Sequence, residues 1–163
     1  ADALQLPAAP VALAAALLHA IRLALWSPWA TRGRPILWIL HASYGWVVVH
    51  LALRGLADLG LVSPLLATHA LTVGGIGGLT LGMMTRTARG HTARPLKVGS
   101  WEIAAYALVQ GAALVRVLVP LVLPALYVQA VVASALLWCA AFTIFTLVYI
   151  PVLTRPRLDG QPG

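Results

Sequence analysis

Five histidines are the side chains best suited to chemistry in this 163-residue chain: His19, His41, His50, His69 and His91. The first four lie inside long apolar stretches, where an ionisable side chain is costly and therefore marks a candidate functional site. A neutral imidazole that is simply hydrogen-bonded to a neighbour is the structural alternative for each. Because imidazole nitrogen ligates haem iron and copper, these histidines predict a haem or metal site.

Two methionines add soft donors close to the last histidine. Met83 and Met84 lie near the end of an apolar run, and His91 follows them beyond a cluster of arginines. Thioether and imidazole together suit copper, although methionine is also an ordinary filler of apolar interiors. Hydrolytic chemistry is disfavoured, because the chain has only four acidic residues and all of them lie near loops or helix ends. Glycines at 74–78 do not follow a strand, so a dinucleotide-binding loop is also disfavoured.

The apolar stretches that must position these residues predict a membrane protein. Hydrophobic residues make up 61% of the chain and charged residues only 9%, whereas soluble domains carry about a quarter charged residues. Five runs are long enough to cross a bilayer, at roughly 10–29, 35–56, 64–85, 101–123 and 126–153. Backbone groups in lipid must pair within a helix or a closed barrel, and these runs are too long and uniformly apolar for barrel strands. We therefore predict an all-α polytopic transmembrane bundle of about five membrane-spanning helices, forming one domain over 1–163.

Basic residues predict the orientation of this bundle. The formal net charge of +7 would indicate nucleic acid as a partner in a soluble protein, but here the charges separate helices and the predicted partner is the lipid bilayer. Most lysines and arginines follow the first, third and fifth runs, which all end on one side. By the positive-inside rule that side, with the C-terminus, is cytoplasmic. The chain opens outside without methionine, so we expect it to be the C-terminal part of a longer membrane protein.

The depths of the four membrane histidines predict two pairs. At 1.5 Å per residue, His19 and His41 lie about 10 Å from the inner ends of their helices. His50 and His69 lie at a comparable distance from the outer ends. Such pairs suit haem iron or copper within a helix bundle. However, His41 and His50 are nine residues apart and lie on nearly opposite sides of one helix, so they cannot share one cavity.

The third run has two distinct faces. Gly74, Gly78 and Gly82 share one face, which predicts close packing of helix backbones. On the opposite face, at about 100° per residue, lie His69, Thr72, Ile76, Thr80 and Met83. In the fourth run, Arg116 lies too far along the helix from Glu102 for the two to pair, and an anion or a haem propionate is its expected partner.

Two motifs resemble the NnrS family of bacterial membrane proteins. The stretch LWILHASYGWVVVHLAL contains Trp38 and His41, and THALTVGGIGGLTLGMMTRTARGHTARPL runs from His69-Ala70 through glycines to Met84, Arg86 and Gly90-His91-Thr92. Ala93 departs from the pattern, in which glycine is expected, so His91 carries over better than the loop conformation does. The resemblance covers roughly residues 35–96. It implies a haem- and copper-containing protein of the bacterial inner membrane, and it implies that helices N-terminal to this chain are missing.

The resemblance also implies a role in nitric oxide metabolism and resistance to nitrosative stress, with nitric oxide or a related small molecule as ligand. We expect b-type haem and, as a second metal, copper. His41 and His69 are the first candidate ligands, followed by His91 and His50 and then His19; Met83 and Met84 are further candidates for copper. The alternatives are an electron carrier resembling b-type cytochromes and a metal-free transporter or sensor. An absorption spectrum separates the metal-free alternative from the other two.

Overall fold

Five long helices form the protein in the computed structural model, which describes residues 8–161. The helices are α1 (Ala8–Leu25), α2 (Pro35–Asp58), α3 (Pro64–His91), α4 (Ser100–Val122) and α5 (Tyr127–Thr154). Short 3₁₀ turns at Pro28–Thr31 and Pro124–Leu126 precede α2 and α5. Residues 8–161 contain no strand. All five helical segments are long and apolar enough to cross a membrane, so the predicted all-α transmembrane bundle is confirmed.

Local sequence explains most of the helix boundaries. Pro35 and Pro64 begin α2 and α3, where the missing backbone N–H of proline costs nothing. The first helix ends four residues earlier than expected, because Ser27 adopts a left-handed conformation with φ of 51°. In contrast, α3 continues six residues past the predicted end at Thr85. His91 was predicted to lie in a loop, and this prediction is wrong, because His91 is the last residue of α3.

The end of α3 is closed by a left-handed residue. Ala93 has φ of 56°, the N–H of Arg94 donates to the carbonyl of Arg89 at 2.9 Å, and the N–H of Ala93 donates to the carbonyl of Gly90 at 3.2 Å. This is the Schellman arrangement, which usually places glycine at the left-handed position. The loop thus keeps a conformation suited to glycine even though alanine stands there.

The third helix occupies the centre of the bundle. The first helix packs on α2, α4 packs on α5, and α3 contacts α2, α4 and α5. One core cluster contains Ile39, Leu81 and Tyr106 near the end of the bundle where α2 begins. The other contains Trp46 and Val117 and lies closer to the opposite end. The central position of α3 makes it the helix that positions most of the candidate side chains.

Glycines on α3 allow α2 to approach closely, as predicted. Gly74, Gly78 and Gly82 are all buried. A Cβ atom at Gly82 would lie 2.8 Å from Cδ2 of Leu40, and one at Gly74 would overlap the indole ring of Trp46. Close backbone contact of this kind is how small residues stabilise membrane helix pairs. The prediction of a glycine packing face is therefore confirmed.

A π-helical segment at Ala70–Gly77 interrupts the regular α-helical geometry of α3. Its i→i+5 hydrogen bonds advance the chain by a smaller angle per residue than an α-helix does. Residues before the segment are therefore rotated about the axis relative to those after it. Thr72, Ile76, Thr80 and Met83, which were predicted to share the face opposite the glycines, are all exposed. His69 is half-buried and hydrogen-bonded to Arg116 of α4. His69 precedes this segment, so its angular position relative to Thr80 and Met83 differs from the one expected for a regular α-helix.

Candidate functional site

The first predicted histidine pair lies at the interface of α1 and α2. His19 Nδ1 is 2.5 Å from the hydroxyl of Tyr44. The ring of Trp26 lies 4.9 Å from that of Tyr44 and 6.3 Å from that of His41, measured between centroids. His19 and His41 thus belong to one aromatic cluster, in which Tyr44 and Trp26 separate the two imidazoles.

The ring of His41 is fixed by its own helix. Its Nδ1 lies 3.0 Å from the carbonyl oxygen of Leu37. A carbonyl oxygen can only accept a hydrogen bond, so Nδ1 carries the proton and Nε2 keeps its lone pair. Metal-ligating histidines are commonly oriented by such a bond from the other ring nitrogen. His41 is therefore held as a potential ligand through Nε2.

A groove of about 580 Å³ lies beside His41. Its lining is mostly apolar, and one cation, Arg32, is part of it. The residues that line it are Leu23, Pro28, Trp29, Arg32, Trp38, His41, Ala42 and Gly45. A planar apolar group that bears carboxylates suits this combination of aromatic rings, one anchored imidazole and one arginine.

His50 is anchored in a similar way on the other side of α2. Its Nδ1 lies 2.8 Å from the carbonyl oxygen of Ala67 on α3, so Nε2 again keeps its lone pair. His41 contacts the groove beside α1, whereas His50 contacts α3, which agrees with the predicted placement of the two on different sides of α2. His50 and His69, which were predicted to pair, have different hydrogen-bond partners: His50 contacts the backbone of α3, and His69 contacts α4.

His69 contacts Arg116. Its Nε2 lies 2.8 Å from Nη2 of Arg116. A guanidinium group only donates, so Nε2 accepts and the proton of a neutral His69 lies on Nδ1. The guanidinium also lies 5.4 Å from the ring centroid of Tyr127. Glu102 contacts neither residue, so the prediction that Arg116 and Glu102 do not pair is confirmed. Unlike His41 and His50, His69 has its Nε2 lone pair engaged by a cation.

The three predicted copper donors line one groove between α3 and α5. This groove has a volume of about 630 Å³, and Met83, Met84 and His91 line it together with Thr87 and Phe145. All three donors are exposed. Within residues 8–161, no three His, Cys, Asp or Glu side chains come together in a way that could hold a metal ion. A metal in this groove would therefore depend on thioether donors as well as His91.

A buried ionic network was not predicted from the sequence. Arg89 Nη2 donates to Glu102 Oε1 at 2.5 Å, and Arg89 Nε donates to the hydroxyl of Tyr149 at 3.0 Å. Glu102 Oε2 also accepts from the N–H of Gly99 at 2.9 Å. The network ties α3, α4 and α5 together at one end of the bundle. The available signal was the only glutamate of the chain, placed in the first turn of an apolar helix.

Comparison with protein families gives one match. A family model described as NnrS protein matches residues 1–157, which is nearly the whole chain. Neither the comparison with curated proteins nor the comparison with solved structures gives a match. The match extends the resemblance of the two central motifs to the flanking helices.

Proposed function

The chain belongs to the NnrS family, and from this membership we propose that it is a membrane haem protein, with copper as a second metal, that serves nitric oxide metabolism and resistance to nitrosative stress. Its location would be the bacterial inner membrane, with the loop after α3 and the C-terminus in the cytoplasm. Bound haem iron would supply a coordination position for nitric oxide or a related small molecule.

The anchored ring of His41 in an apolar groove is the observation that carries the haem assignment. The carbonyl of Leu37 keeps the proton on Nδ1 and leaves Nε2 as the donor atom. Arg32 lines the same groove and would pair with a haem propionate, as arginine does with carboxylates. Trp29 and Trp38 would cover the macrocycle and exclude water. The residues of this groove therefore fit a haem.

The remaining predicted ligands are secondary candidates for haem or are candidates for copper. His50 is the second candidate for haem, because its Nε2 is also available. His19 and His69 are hydrogen-bonded to Tyr44 and Arg116. Each would bind a metal either after its partner moved away or through its other ring nitrogen. Met83, Met84 and His91 would hold copper, since their groove combines soft thioethers with an imidazole.

Haem occupancy of two histidine variants tests the proposal. In His41→Ala the haem-to-protein ratio, measured by absorption of the purified membrane protein, is expected to fall to a small fraction of the wild-type ratio. His91→Ala is the matched control, because it lies in a different groove, and it should keep most of the haem while losing copper in elemental analysis. Full haem occupancy in His41→Ala would reject His41 as a ligand. A wild-type protein without any haem spectrum would reject the function.

Electron transfer between two haems is the second candidate function. His41 and His50 both present a free Nε2 and lie nine residues apart on α2, about 14 Å along the helix axis. Two haems at different depths are the arrangement by which a membrane cytochrome passes electrons across a bilayer. Reduction of the bound haem by a quinol, followed spectroscopically, would support this function, and a haem that reacts with nitric oxide but not with quinol would reject it.

A further inference from the structure

A cavity between α3, α4 and α5 is lined by a half-buried cation, Arg116. It has a volume of about 320 Å³ and is lined by His69, Arg116, Val131, Ser134, Trp138 and Cys139. Arg116 lies six residues before the end of α4 at Val122, which places it about 9 Å inside the helix. The cavity therefore lies within the predicted membrane layer, away from the groove of His41.

No carboxylate among residues 8–161 compensates the charge of Arg116. Each of the three acidic residues in this range is paired with another arginine. Asp58 pairs with Arg54, Glu102 with Arg89, and Asp159 with Arg157. A guanidinium inside a membrane helix usually pairs with an acid or marks a substrate or ion path. The described part of the chain thus leaves Arg116 without a counter-charge.

Arg116 also has a donor without an acceptor. Its Nη2 donates to His69, and the ring of Tyr127 faces the guanidinium, but Nη1 is buried with no hydrogen-bond partner in the described chain. A buried donor without an acceptor carries a large desolvation penalty, which increases when the group is charged. An acceptor that enters the cavity would remove this penalty.

The other polar groups of the cavity favour a negatively charged acceptor. Trp138 has an indole N–H, which can only donate. Neutral His69 has Nδ1–H as its second nitrogen, because its Nε2 already accepts from Arg116. The hydroxyl hydrogen of Ser134 is used by the carbonyl of Ala112 at 2.8 Å. The cavity therefore presents one positive charge and the N–H groups of His69 and Trp138, whereas Ser134 keeps only its oxygen lone pairs; no acidic residue belongs to the lining.

We propose that this cavity binds a free monovalent oxyanion of carboxylate size, such as formate or nitrite, on Arg116. One uncompensated cation in a mostly apolar lining selects a single negative charge. The fork of guanidinium N–H groups matches two oxygens on one atom better than a spherical halide. The site does not depend on haem, and His69 belongs to it as the residue that orients Arg116.

The alkylation rate of Cys139, the only cysteine of the chain, measures whether an anion occupies the cavity. Cys139 is exposed and lines the cavity, so a bound anion should slow its alkylation by a neutral maleimide. In the purified protein, formate is expected to lower the alkylation rate several-fold, with sodium chloride at equal ionic strength as the comparison. Arg116→Gln should abolish the protection, whereas Arg54→Gln, which removes an arginine paired with Asp58, should keep it. Arg116→Lys retains the charge without the fork and should be protected only weakly.

Several results would overturn the proposal. Equal protection by formate and chloride would reject an oxyanion site, and protection that persists in Arg116→Gln would reject Arg116. If Arg116→Gln is not folded, undiminished protection in Arg116→Lys would reject the role of the guanidinium. Haem-loaded and haem-free samples are compared in parallel. Slow alkylation in haem-loaded protein, with no response to formate in either sample, would assign Arg116 to a haem propionate and reject the free anion.

Discussion

The substitution Gly78→Ala should destabilise the bundle strongly, because an added methyl group has no free space at this position of α3. A Cβ atom at Gly78 would lie 2.8 Å from Nε2 of Gln110 and 3.0 Å from Cβ of Ser43, and it would overlap the hydroxyl oxygen of Ser43. These two side chains are hydrogen-bonded to each other at 2.9 Å. Gln110 Oε1 also accepts from the indole N–H of Trp46 at 2.8 Å. The methyl group would therefore enter the polar contact that joins α2, α3 and α4.

The expected loss follows from three contributions. Overpacking costs about 1–3 kcal/mol, and a buried polar group left without its partner costs about 1–3 kcal/mol. Alanine recovers roughly 1 kcal/mol through its higher helix propensity. Ser43 is completely buried, so water cannot replace the lost bond. The net decrease in the free energy of unfolding is therefore about 3 kcal/mol, which corresponds to a decrease in Tm of roughly 10 °C for a chain of this size.

Thermal unfolding of the purified protein, followed by circular dichroism, measures this loss. Gly90→Ala is the matched control, because it makes the same change on the same helix, and a Cβ atom there meets nothing within 4 Å. It should leave Tm unchanged or raise it slightly. Thr80→Ala, on the exposed side of α3, should also have little effect. A Tm for Gly78→Ala equal to that of Gly90→Ala would refute the packing argument.

Three further predictions concern other parts of the fold. Ala93→Gly should raise the stability by about 1 kcal/mol, because φ of 56° strains alanine; a lower Tm would contradict this. Glu102→Gln should lower the free energy of unfolding by about 3 kcal/mol, since it leaves the partly buried Arg89 without a counter-charge. Asp58→Asn removes the acid of an exposed pair and should lower it by less than about 1 kcal/mol. Equal losses in the two variants would reject the buried network. Reporter fusions after Lys97 and near Asp58 should report opposite sides of the membrane, and the same side for both would reject the predicted orientation.

The candidate sites differ in how far the sequence could predict them. Histidines in apolar runs and methionines followed by His91 are visible in the sequence, because polar or soft donors stand out in a membrane segment. Met83, Met84 and His91 were predicted as copper donors from their residue types, but their common groove was not, because His91 was expected in a loop and the structure places it on the same helix as the methionines. The cavity of Arg116 was only partly anticipated. Its other lining residues come from two further helices, α3 and α5, and sequence spacing cannot relate residues on different helices.

The sequence by itself determined the five helices, because the length and apolarity of each run leave the backbone no other way to satisfy its hydrogen bonds in lipid. It also determined the glycine face of α3, since four-residue spacing is a local property of a helix. Only the tertiary structure decided that His69 contacts Arg116, because this contact joins α3 to α4 and depends on how the two helices are rotated relative to each other. The pairing of Arg89 with Glu102 was likewise decided by how α3 and α4 pack. Contacts between helices depend on rotation and depth, which a run of apolar residues leaves open.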